Sequence, residues 1–546
     1  MKAVEVLVKC LCNEGVDLLF GVPGEETLAF TDALLDSNIR FVTCRHEQGA
    51  AFMADVWGRL SGRAGVCLGT LGPGATNLTT GIGDANLDRA PVVAITGQAG
   101  RDRIHKESHQ YVDVVDMFRP LTKWNARLAV ASIIPEAVRK AFKVAETEKP
   151  GACHLELPED VAEEEVSGST TPLSTERGRR PSPDRPSLRR AAELIDRAKH
   201  PLIFAGNGVI RGKASFALRQ FAGRTGIPVA NTFMAKGCLP WDHDLALGTI
   251  GLQMRDAISC GFDRADLVIT AGYDLVEYAP KFWNADHPKT IIHIDFLPAE
   301  VDEDYQPAVE IVADIREALD LLTDLVSVRR DPTPSRALHE WILGELNAGA
   351  NDAGFPIKPQ RVLHDLRRVL GPHDIVISDV GAHKLWVARL FPAIEPNTVI
   401  ISNGFAAMGI ALPGAIAAKL LDPQRRVVAV AGDGGFLMNV QELETAVRLG
   451  LDVVFVIFRD DAYGVIRWKQ LNRYGRESGV AFGNPDFVAL ARAFGARGVR
   501  VEAADELLPA LNEAFGGRGP CVVEVPVDYR ENLRLTERLG QLGCPI

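Results

Sequence analysis

Gly432-Asp433-Gly434-Gly435-Phe436 follows an apolar run, Val427 to Ala431, and Asp460 comes 27 positions after Asp433, behind a second apolar run, Val453 to Phe458. Short β-rich apolar runs of this kind are the pattern of buried parallel strands. Glycines after a strand let the backbone turn sharply and approach a phosphate closely. Asn439 to Leu449 reads as the intervening helix, with Val440, Leu443, Val447 and Leu449 on its apolar side. The unit therefore demands a parallel sheet and puts Asp433 and Asp460 at the carboxyl ends of two strands, where open α/β sheets bind ligands. Two such oxygens, joined by phosphate oxygens, suit a hard cation such as Mg²⁺. The plainer alternative is a strand-turn-helix with a solvated aspartate.

A chain of 546 residues exceeds one core, and 47% apolar content with strands alternating with helices predicts α/β domains. Two seams divide it into expected domains at 1–166, 187–325 and 356–535, each a doubly wound parallel sheet. Ser167 to Ser187 is a linker rich in Ser, Thr, Pro and Arg, and Val326 to Lys358 is a softer boundary with a short helix, Ala337 to Leu346. The middle segment has its own strands, at Leu202 to Ala205, Val229-Ala230, Leu267 to Thr270 and Ile291 to Asp295. Gly206-Asn207-Gly208 lacks the third glycine of a dinucleotide fingerprint, since the next is Gly212, and reads as a strand-helix turn.

Net charge of −11 with no basic tract gives no support for a nucleic-acid partner. Val4 to Cys12 is a charged amphipathic helix pattern rather than a signal peptide, and no apolar stretch is long enough for a membrane span. Nine cysteines form no Cys-x-x-Cys pair and read as reduced, buried residues, so the expected location is cytoplasmic.

The N-terminal third carries a second set of signals. Arg45-His46-Glu47-Gln48 follows a strand-like Ile39 to Cys44 and opens a helix with small residues on one face. Glu47 is either a helix N-terminal acid favoured by the dipole or a proton-sharing carboxyl with a raised pKa. Gly69 to Asn77 is a glycine loop between strand and helix without the Gly-Lys-Ser/Thr ending of a nucleoside-triphosphate loop. Pro91 to Thr96 is another buried strand. His109-Gln110 lies in a polar stretch, Arg101 to Asp113, that reads equally as a surface loop.

The Gly432 run resembles the diphosphate-binding motif of thiamine-diphosphate enzymes, in which an Asn closes the motif where this chain has Asp460. The extra negative charge leaves an oxygen ligand in place, and a cation offsets it. The resemblance spans nearly the whole chain, in the order pyrimidine-binding, middle and diphosphate-binding domain. It is to the acetolactate synthases, above all the FAD-independent catabolic type. Gln441 to Leu449, Tyr273 to Tyr278, Lys281 to Asn284 and Val527-Asp528-Tyr529 carry it. Gly21 to Gly24 and Lys123-Trp124-Asn125 look more like the biosynthetic type. The FAD-binding synthases have Arg-Phe-Asp-Asp-Arg where this chain has Tyr273 to Glu277, so FAD is not expected.

The resemblance implies roles. Asp433 and Asp460 would ligate Mg²⁺ by side chain and Ala462 by its carbonyl. The backbone at Gly404, Phe405, Gly432, Gly434 and Gly435 would meet the diphosphate, with Tyr463 and Gly464 beside it. Met408, otherwise a core filler, would prop the bent cofactor. His383 would lie near the diphosphate, although Ala382 stands where many relatives have Gln. Gly24 belongs to a loop approaching the cofactor, and Glu47 would face N1′ of its aminopyrimidine. His109 and Gln110 match a pair near the substrate. The implied reaction joins two pyruvates into 2-acetolactate in a homodimer or homotetramer with shared sites. Another thiamine-diphosphate carboligase or 2-oxo acid decarboxylase, a nucleotide-dependent oxidoreductase and a non-catalytic sensor are the alternatives.

Overall fold

The structure, a computed structural model, describes residues 1–166, 170–176, 178–251, 258–285 and 289–532. Its strands form three six-stranded sheets. In spatial order the first holds Arg40–Thr43, Leu18–Gly21, Gly65–Gly69, Val92–Gln98, Ala152–Pro158 and Trp124–Arg127. The second holds Val309–Val312, Thr290–Asp295, Leu267–Ala271, Pro201–Ala205, Val229–Asn231 and Ala246–Thr249. The third holds Val399–Ile401, Ile375–Ser378, Val427–Gly432, Val454–Arg459, Cys521–Pro526 and Arg497–Arg500.

Every pairing in these sheets is parallel. Numbered along the chain, the strands of the outer two sheets run 2-1-3-4-6-5, and those of the middle sheet run 3-2-1-4-5-6. The middle order reverses direction once, between its first and fourth strands, and the outer orders reverse between their first and third strands and again at the last pair; such reversals mark a doubly wound sheet. The apolar runs are buried on both faces, as helix-covered parallel strands require; Val427 to Ala431 are each at most 2% exposed.

The first and third sheets are joined through helices with small residues between them. The helix Glu47–Ser61 packs on Pro73–Leu87 and on Ala411–Leu421. A Cβ on Gly81 would stand 2.5 Å from that of Ala51, so only glycine permits this approach. Arg59, buried on the same helix, ion-pairs with Asp55 at 2.5 Å, Asp88 at 2.7 Å and Asp84 at 3.0 Å. Asp84 accepts the Ser402 hydroxyl at 2.7 Å and the Ala407 N–H at 3.1 Å, and Asp88 accepts the Asn403 N–H at 3.0 Å and the Gly404 N–H. The carboxylates of one sheet's helices thus hold a loop of the other.

The helix expected over Asn439 to Leu449 is shorter, Glu442–Arg448, and a separate short helix, Asp433–Met438, precedes it. The break falls at Asn439, which is buried and donates its side-chain amide to the Gly409 carbonyl at 2.9 Å. Tertiary contact there overrides the apolar period. The described part of the expected linker has neither helix nor strand up to Asp184, whose carboxylate caps the helix Arg185–Arg197 by accepting Ser187 N–H at 2.9 Å. Residues 167–169 and 177 of that linker, and 533–535 of the third expected domain, lie outside the described residues. The softer seam contains a longer helix than expected, Thr333–Ala348. Among the described residues no helix is long and apolar enough to cross a membrane.

Candidate active site

The order of the third sheet reverses between Ile375–Ser378 and Val427–Gly432. Connections leave these strands in opposite directions and open a crevice at their carboxyl ends. A cleft of about 240 Å³ lies there. Met408, Gly432, Asp433, Gly434, Gly435, Asp460, Ala462, Tyr463, Gly464 and His383 all line it. These residues come from four separate stretches of chain, and the sheet brings them together.

Asp433 organises the motif. Its Oδ2 accepts the backbone N–H of Asp461 at 2.8 Å and of Asp460 at 3.2 Å, and the Asn484 amide at 2.8 Å. Its Oδ1 accepts the Gly434 N–H at 2.9 Å. Burial raises the Asp433 carboxyl above its usual range, and these donors oppose the rise. Burial and the neighbouring Asp433 charge push Asp460 up to about 8. The pair is therefore short of positive charge, the condition that a divalent cation relieves. Gly435 must be glycine: a Cβ there would lie 2.7 Å from Asp379 Oδ1. Asp379 in turn accepts the Gly409 N–H at 2.9 Å and the Ala411 N–H at 3.0 Å, which fixes the turn beside Met408.

His383 is buried, and burial lowers it to about 3, so the imidazole is neutral. Its Nε2 is buried with no partner among the described residues. The lining also includes Phe233, Lys384, Trp468 and Tyr529, none of which motif reading singled out as a site residue. Burial brings Lys384 down to about 8.

Gly404 and Phe405 lie outside the lining of this cleft. The Gly404 N–H is taken by Asp88, and a Cβ on Gly83 would be 3.1 Å from the Phe405 ring. Their neighbours Asn403 and Met408 face the cleft instead.

Glu47, Gly24, His109 and Gln110 gather at the carboxyl end of the first sheet, also outside that lining. Glu47 is buried at the first position of its helix, and Asn77 Nδ2 donates to its Oε2 at 2.9 Å. Gly24 leans on the loop after Gly65–Gly69: a Cβ on it would come within 2.4 Å of Thr70 Cβ. A Cβ on Gly72 would meet the Gln110 carbonyl at 2.4 Å, so the loop of Gln110 rests on the same glycine turn. His109 and Gln110 are exposed. The chain thus has two separate groups of candidate residues: a carboxylate pair in a cleft, and a buried glutamate held by Asn77.

Sequence reasoning missed Asn77, Asp379, Glu442 and Asn484. Each is a common polar type with no local pattern, and each acts on a partner distant in sequence.

Three family models match the chain. The thiamine pyrophosphate enzyme N-terminal TPP binding domain matches residues 1–117, the central domain 188–322 and the C-terminal TPP binding domain 379–525. An acetolactate synthase of Bacillus subtilis is 38% identical over 539 residues, covering 98% of this chain and 94% of that protein. A catabolic acetolactate synthase of Raoultella terrigena is 38% identical over 546 residues, covering 98% and 96%. A probable acetolactate synthase large subunit of Methanocaldococcus jannaschii is 37% identical over 565 residues, covering 99% and 94%.

Proposed function

The chain belongs to the thiamine pyrophosphate enzymes and, within them, to the acetolactate synthases, and we propose that it joins two molecules of pyruvate, with loss of carbon dioxide, into 2-acetolactate. The observation that carries this reading is similarity over 98% of the chain, with the Asp433–Asp460 pair facing a cleft at the sheet's switch point.

The cleft fits thiamine diphosphate. The Gly432–Gly435 backbone opens on it without bulky side chains, and the partnerless Nε2 of His383 is buried in its wall. Among the described residues no three His, Cys, Asp or Glu side chains form a metal site by themselves. Mg²⁺ would therefore need the diphosphate oxygens beside Asp433, Asp460 and the Ala462 carbonyl. Bound thiamine diphosphate supplies a carbon nucleophile for the keto carbon and an electron sink for decarboxylation. Met408 would prop the cofactor's bend. Glu47 would hold and return a proton at N1′, with Asn77 keeping its carboxyl in place.

Glu47 lies outside the lining of the Asp433 cleft, which supports a site completed by two subunits. The smallest working unit is then a two-fold homodimer. No flavin is part of the reading. Glu277 stands where the flavin-binding pattern has its second arginine, and its carboxylate accepts the Asn207 N–H at 3.0 Å.

Product analysis tests the proposal. Purified protein with thiamine diphosphate, Mg²⁺ and pyruvate should release one carbon dioxide per 2-acetolactate. Free acetaldehyde as the main product, or no turnover of pyruvate, would overturn it.

A further inference from the structure

Pyruvate is an anion, and the cleft presents one buried ammonium among its described lining residues. Lys384, on the helix Ala382–Leu390, is 7% exposed. Its Nζ stands 5.5 Å from the ring centroid of Phe233, which lines the same cleft. The other ammonium on the lining, Lys469, is exposed. No carboxylate among the described residues is within salt-bridge distance of Lys384; Asp84 and Asp88 act on it only at longer range, and both are engaged with Arg59. A ring face offsets part of the cost of burying this charge, but a buried cation is best served by an anion. Nothing in the diphosphate or cation assignment uses it.

Resting on the pyruvate reading above, we propose that the Lys384 ammonium binds the carboxylate of the accepting 2-oxo acid. The two pyruvates differ in the fate of their charge. The donor's carboxylate leaves as carbon dioxide, so a cation holding it would stabilise the ground state over the transition state and slow the step. The acceptor's carboxylate survives into the product. A cation there contributes throughout C–C bond formation and selects a 2-oxo acid over an uncharged aldehyde. Lys384 is then a specificity determinant for the second half of the reaction.

The test uses the holoenzyme, Lys384→Met and Lys384→Arg. Oxamate, an unreactive isostere of pyruvate, is titrated and followed by tryptophan fluorescence, since Trp468 lines the cleft. Loss of one charge-assisted contact predicts binding about 10- to 100-fold weaker in Lys384→Met, with Lys384→Arg recovering most of it. Oxamide, which is neutral, should bind wild type and Lys384→Met alike. In a second measurement, pyruvate is supplied with excess acetaldehyde. The ratio of 2-acetolactate to acetoin should fall at least about tenfold in Lys384→Met.

Oxamate binding equal in wild type and Lys384→Met overturns the proposal whatever the products are. Equal loss of 2-acetolactate and acetoin also overturns it, because the acceptor would not be the partner. If wild type makes no 2-acetolactate yet oxamate binding depends on Lys384, the pyruvate reaction fails while the carboxylate site stands. Should Lys384→Met not fold, Lys384→Gln, of similar length, carries the same expectations.

Discussion

The Oε1 of Glu442 accepts the backbone N–H groups of Arg45 at 2.9 Å and His46 at 3.0 Å. A carboxylate that follows the Asp433 motif thereby anchors the two residues that precede Glu47. Its Oε2 accepts the Thr445 hydroxyl at 2.7 Å. Burial raises this carboxyl above its usual range, and the three donors act against the rise. Glu442→Ala would leave two N–H groups without an acceptor, so it should lose about 2–4 kcal/mol in chemical denaturation. Glu442→Gln keeps one oxygen and should lose less. A loss below about 0.5 kcal/mol in Glu442→Ala would show that water replaces the contact.

Glu47→Gln should keep the fold, because Gln preserves an oxygen for Asn77. It should bind thiamine diphosphate but slow proton–deuteron exchange at the cofactor's C2 by about 100-fold or more. Exchange at the wild-type rate would remove Glu47 from proton transfer.

Asp433 joins three donors on two other loops, so Asp433→Ala should weaken cofactor binding strongly and abolish turnover. Asp460→Asn removes a charge but retains an oxygen, and should keep substantial activity with Mg²⁺. Exhaustive chelation should abolish activity, and added Mg²⁺ should restore it. Full turnover after chelation would exclude a metal role for the pair.

Glu277 gives a pH-dependent contribution. Burial pushes its carboxyl up to about 7, above its usual value of 4.5. A folded-state pKa raised in this way adds stability at low pH that is lost as pH rises from about 4.5 to about 7. The thermal midpoint of wild type should therefore fall relative to that of Glu277→Gln across this window. Parallel curves for the two proteins would show that the carboxylate ionises without cost.

Mixing inactive Glu47→Ala with inactive Asp433→Ala, under conditions that exchange subunits, should recover activity. Half of randomly paired dimers would be mixed, each with one intact shared site, giving roughly a quarter of wild-type activity. Exchange confirmed by mass without any recovery would mean that each chain holds a complete site.

Much of the candidate site was legible because its residues are local and their chemistry is stereotyped. The turn at Gly432 to Gly435 needs glycine, and the strands on either side are apolar runs with β-rich composition. Asp433 and Asp460 could be placed at strand ends from these runs alone. Asn439 opens the expected helix, yet its side chain is held by the Gly409 carbonyl and the helix begins only at Glu442. Gly404 and Phe405 are expected at the diphosphate from the resemblance alone; in the fold the Gly404 N–H is held by Asp88 and the Phe405 ring packs by Gly83. Lys384 and Asn484 have no motif: a lysine beside an aromatic ring, or an asparagine across a loop, is visible only after folding.

Three doubly wound parallel sheets and the carboxylate pair follow from the order of residues alone, since strand periodicity and turn chemistry act over a few neighbouring residues. Which residues line the cleft, which glycine faces a carboxylate and which lysine is buried with no carboxylate in salt-bridge distance among the described residues emerge only on folding. Those outcomes depend on contacts between residues hundreds of positions apart, such as Glu442 with Arg45 and Asp88 with Gly404. Such contacts are set by close packing of whole helices, and no local pattern of residue types encodes that packing.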